Sequence, residues 1–135
     1  MKKLKKMLSE GAYDSLYMEL DENNFFYDIE NFTTAFDGVK SEKKYAYLTY
    51  AIARNETPNL HLLLCDLIYY TDRFFYDVYT MQKWHLKRAL EISPNNIDVL
   101  KWITTIFNEH PDSPFSKYEL AIYNKQLESI ISSED

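Results

Sequence analysis

Glycine is almost missing from this sequence, with two in 135 residues. Sheets turn on glycine and helices do without it, so the scarcity argues against a β architecture. Cysteine is nearly absent too. Cys65 stands alone, which excludes an internal disulfide and fits a reducing compartment. Long apolar runs are lacking. The longest purely apolar stretch, "LLLC" at 62–65, falls far short of a membrane span. The opening "MKKLKKML" has the charge of a secretion signal but no apolar core behind it, so the expected location is the cytoplasm. With only Gly11 and Gly38 available, no phosphate-cradling loop can be built. Nor does any Glu-x-x-His occur to suggest a di-iron bundle.

What the chain does contain is helical periodicity. Tyr13, Leu16, Tyr17 and Leu20 share one face, as do Phe25, Ile29, Phe32 and Phe36, and Tyr45, Leu48 and Ile52. "NETP" ends one helix and starts another, with Thr57 as N-cap and Pro58 at the first helical position. A wide stripe of Leu60, Leu63, Leu64 and Leu67 follows. A long helix from about Arg73 to Ile92 then carries Val78, Met81, His85, Ala89 and Ile92. Pro94 stops it. Leu100, Ile103 and Phe107 mark the next helix. A restart at Ser113-Pro114 leads to a last one with Leu120, Tyr123, Leu127, Ile130 and Ile131. The expected fold is all-α: residues 1–135 form a single domain of about seven short antiparallel helices. An acidic, aromatic part spans 7–39 and helical hairpins span 41–133.

Chemistry is sparse. His61 and Cys65 stand four apart on one predicted helix, but zinc needs three or four ligands and no second pair has ligand spacing. His85 and His110 lie on other elements. The expectation is that His61 and Cys65 are packing residues, with no metal, no cofactor and no catalytic residue in the chain.

Charge is more informative. Of 21 acidic residues, eight fall between Met7 and Val39, and no Lys or Arg interrupts them. The remainder of the chain holds 13 acidic groups and all 15 basic ones, so the formal charge of −6 arises in that one quarter. The same quarter holds seven aromatics. Phe26 and Tyr27 fall off its helical stripe, as Tyr47 and Tyr50 fall off theirs. Aromatics left over beside acids are expected to anchor a partner. The predicted binding residues are Glu19, Asp21, Glu22, Phe26, Tyr27, Asp28, Glu30, Tyr47 and Tyr50. Their charge suits a basic protein and is wrong for direct nucleic-acid contact; no membrane contact is expected, and the oligomeric state is left open.

Two resemblances add to this. "ALEISPNN" is similar to the close of a tetratricopeptide repeat, with Ala89, Leu90 and Pro94 matching, and Leu100, Ile103, Thr104 and Phe107 matching the following helix. The likeness covers about 80–108; upstream Gln82 occupies the place of a small residue, and Asp66 and Arg73 depart from the pattern. It implies an adaptor holding a peptide, with Trp84, Lys101 and Trp102 as contacts. In size, in the acidic 7–39 segment and in tyrosine content, the chain also resembles small bacterial immunity proteins of contact-dependent growth inhibition and related polymorphic toxin systems. That resemblance implies a non-catalytic antidote that binds and neutralises a cognate, basic toxin domain such as a nuclease.

Overall fold

The computed structural model describes residues 2–21, 24–70 and 77–133, and among them every regular element is helical. The helices are α1 (Lys2–Ser9), α2 (Tyr13–Asp21), α3 (Ile29–Ala35), α4 (Ser41–Arg54), α5 (Pro58–Tyr69), α6 (Val78–Ile92), α7 (Ile97–Phe107) and α8 (Lys117–Ser133). A 3-10 turn, Asn24–Tyr27, precedes α3. The all-α single domain is as expected, with one α-helix more among the described residues than the periodicity implied. The Phe25–Phe36 stripe is divided, because Asp28 caps α3 by accepting from the Asn31 amide at 3.2 Å and so starts a new helix there.

Local chemistry explains most helix ends. Gly11, at φ +76°, closes α1: its amide donates to the Leu8 carbonyl and the Ala12 amide to Met7, the paired bonds of a left-handed helix stop. Thr57 accepts from the Leu60 amide and Pro58 opens α5. Asn96 caps α7 through the Val99 amide at 3.0 Å. At α8 the predicted start moves by three residues. Ser116 and Glu119 make a reciprocal capping box, so the helix begins at Lys117 and Ser113 serves the turn before it. The proposed helical stretch at 73–76 lies outside the described residues.

The core has two parts that meet at α5. Leu60, Leu63, Leu64 and Ile68 face an N-terminal cluster with Leu16, Leu20, Phe36 and Leu48. Leu62 and Cys65 face a C-terminal cluster with Leu86, Ala89, Val99, Ile103 and Phe107. Seven of the twelve residues of α5 are buried. It is the middle layer of the molecule. Leu100, Ile103, Thr104 and Phe107, the positions read as repeat-like, are all buried on α7. No described helix is long and apolar enough to cross a membrane.

Candidate functional site

The acidic segment folds so that much of its charge is answered. Glu19 pairs with Lys3 at 3.1 Å and Glu10 with Lys6 at 4.0 Å, both on α1. Asp14 takes the Tyr50 hydroxyl and lies 3.4 Å from Arg54 of α4. These pairs are exposed and individually weak. The Glu19 and Asp14 pairs tie α2 to α1 and α4, and all three lower the local field.

The leftover tyrosines correct the sequence reading. Tyr27 and Tyr47 are buried, and their hydroxyls bond each other at 2.8 Å. Burial, reinforced by that bond, raises the Tyr47 pKa well above the ordinary phenol value. They fill the N-terminal core instead of offering surface anchors. The buried face of α4 runs through Tyr47, Leu48 and Ala51, not through Tyr45 and Ile52, since a paired phenol can be buried without losing a hydrogen bond. Phe26 is half-buried against the same core. Tyr50 is half-buried and bound to Asp14 and Arg54. Glu22 and the Asp21 side chain lie outside the described residues.

Asp28 and Glu30 come to more. They stand on the rims of two neighbouring grooves. The first, about 310 Å³, opens between the 3-10 turn, the start of α5 and α7. Ile29, Leu62, Trp102 and Ile106 give it an apolar lining, and Asp28, Asn59, Asp98 and Lys101 add polar groups. The second, about 590 Å³, lies between α3, α4 and α5, with Phe32, Leu63 and Leu67 beside Glu30, Lys44 and Asp66. Ile29 lines both. Across the divide the Trp102 indole N–H donates to Asp66 Oδ1 at 3.2 Å. Burial raises the Asp66 pKa, opposed by that bond, while burial lowers the pKa of Lys44, opposed by Asp37. Four carboxylates and two ammonium groups thus surround apolar lining, an arrangement suited to the aliphatic stem and cationic head of lysine or arginine.

The grooves join residues that the sequence reading had kept apart. Tyr27, Asp28 and Glu30 come from the acidic segment, and Lys101 and Trp102 from the repeat-like one. Glu19, Tyr47 and Tyr50 line neither groove, and Trp84 stands 60% exposed on α6. Sequence reasoning missed Asp98, which reads as an ordinary first-turn acid on α7. It noted Asp66 only as a mismatch, although a carboxylate amid leucines was the available signal.

His61 and Cys65 also find unexpected partners. His61 is fully buried, with Nε2 2.7 Å from Glu56 Oε2 and Nδ1 2.8 Å from His85 Nδ1. Arg88 grips Glu56 through Nε at 2.8 Å and Nη2 at 2.7 Å. One turn on, the Cys65 thiol donates to the Gln82 carbonyl at 3.5 Å, and the Gln82 amide to the Cys65 carbonyl at 3.1 Å. Burial, then Asp66, raises the thiol pKa, which keeps Cys65 protonated and inert. Both His61 nitrogens are engaged, and no group of three or more metal-ligating side chains converges among the described residues.

No protein-family model, curated protein or solved structure matches the chain.

Proposed function

We propose that this chain is a non-catalytic protein-binding module that takes a basic partner at the two grooves flanking Ile29. In its finer form the reading is a stoichiometric immunity protein, acting in the cytoplasm, that occupies and neutralises a basic toxin domain such as a nuclease. The observation that carries it is the pairing of apolar lining with rim carboxylates from separate elements: Asp28 before α3, Glu30 in α3, Asp66 in α5 and Asp98 in α7. The single cysteine, Cys65, is buried and protonated, which also favours binding over catalysis.

The test is affinity capture from cells that make the protein, followed by binding kinetics with the partner recovered. Asp28→Asn keeps the α3 cap while removing charge, and Asp98→Lys reverses charge across the groove. The double variant should bind about tenfold or more weakly at low salt, mainly through slower association, and the difference should shrink as salt rises. Unchanged affinity and salt dependence would remove the grooves from the mechanism. A second reading, a tetratricopeptide-like adaptor for an extended peptide, is favoured by Lys101 and Trp102 lining the first groove. Tight binding of a short linear fragment of the partner would select it over recognition of a folded domain.

A further inference from the structure

We propose that His61 and His85 form an acid-sensitive latch between α5 and α6, closed while one proton at most lies between their facing Nδ1 atoms and released when both atoms are protonated. Glu56 accepts from His61 Nε2–H, which leaves His61 Nδ1 as a lone pair, and His85 Nδ1–H donates into it across 2.8 Å. A first added proton is tolerated. His61 becomes an imidazolium that donates to Glu56 and to His85 Nδ1, the His85 proton moves to Nε2, and the Glu56 carboxylate balances the charge. A second added proton has no place. Two N–H groups would then point at each other across 2.8 Å, each on a cation, with no acceptor between them.

The surroundings hold the pair in this geometry. From the connection before α5 comes Glu56; from α6 come Arg88, which fixes that carboxylate, and Glu91, bonded to Arg88 at 2.9 Å. Along α5 the next turn presents Cys65 to Gln82 and turns Asp66 toward Trp102. The Trp84 ring meets both imidazoles edge-on, with centroids 5.9 and 5.0 Å away. His85 Nε2 has no hydrogen-bond partner among the described residues. Arg88, with His61 second, pulls the Glu56 carboxyl down to about 2, so the anchor stays ionised throughout.

Burial, with the neighbouring His61, moves His85 down to about 4 from 6.5. The folded state therefore binds fewer protons than the unfolded chain between those values. Its stability is complete above about pH 6.5 and falls as the pH drops toward 4. Carboxylates held low, Glu56 and Glu119 at about 2, contribute a separate loss that sets in near pH 4.5, below the interval from pH 7 to pH 5.

Urea unfolding at pH 7 and pH 5, for the wild type and for His85→Gln, tests the latch. Glutamine can still donate to His61 Nδ1 but cannot titrate. The wild-type unfolding constant should rise on the order of tenfold more than that of the variant over this interval. His110→Gln is the control, since His110 bonds Tyr79 and the Asp112 amide away from the seam, and it should keep the wild-type response. Nitrogen-15 NMR of the wild-type histidines gives a reading that needs no variant: the His85 ring should stay neutral at pH 6. An ordinary titration of His85 near pH 6.5, or equal pH responses in wild type and His85→Gln, would overturn the proposal.

Discussion

Helix α5 meets the N-terminal cluster with Leu60, Leu63, Leu64 and Ile68, whereas toward α6 it presents His61 and Cys65, with Glu56 just before its first turn. The apolar side gains from area removed from water and tolerates small shifts in angle. The α6 side is a ladder of matched polar groups, Glu56 to Arg88, His61 to His85 and Cys65 to Gln82, in antiparallel order. A slip of one turn would leave several of them buried without partners. Hydrocarbon therefore supplies most of the stability around α5, and the polar ladder fixes its register against α6. That division suits a molecule whose grooves are built from separate helices, because rim carboxylates align only if the helices do.

The largest expected effect probes the hydrocarbon side. Leu64 is fully buried in the N-terminal cluster, and Leu64→Ala removes its packing while leaving the ladder untouched. Urea denaturation should show a loss of about 2–5 kcal/mol. A loss below about 1 kcal/mol would break the comparison, since the apolar side would then not be the main source of stability. A smaller effect is expected where that cluster is itself polar. Tyr47→Phe keeps the ring, with Tyr13 at 5.9 Å, and deletes only the hydroxyl bond to Tyr27. The same measurement should give about 1 kcal/mol.

How far the sequence could be read follows the same line. Leu60, Leu63 and Leu64 announce themselves by spacing, because an apolar stripe is a property of one helix. Thr57-Pro58 and Asn96 likewise mark their helix starts within a few residues. Tyr47 was misjudged because burying a phenol depends on a partner hydroxyl 20 residues away. His61 reads from the sequence as a packing residue, because the imidazole it bonds is 24 residues distant on α6. The grooves were legible only in fragments. Asp28, Glu30, Lys101 and Trp102 stood out singly, and nothing local in the sequence says that α3 and α7 both border α5.

The smallest effect is expected at Gln82, where the ladder is least complete. Its amide nitrogen donates to the Cys65 carbonyl, but its Oε1 is buried without a hydrogen-bond partner. An orphaned acceptor costs roughly 1–3 kcal/mol and a made hydrogen bond contributes about 1 kcal/mol, so the two largely cancel. Gln82→Leu is of similar volume and removes both at once, while the Cys65 carbonyl keeps its place in the α5 backbone ladder. Stability measured by urea denaturation should therefore change by less than about 1 kcal/mol, and a gain is as acceptable as a small loss. A loss beyond about 2 kcal/mol would mean that Gln82 contributes energy as well as register. The division between the two sides of α5 would then be one of degree: both would stabilise the fold, and the ladder alone would also align it.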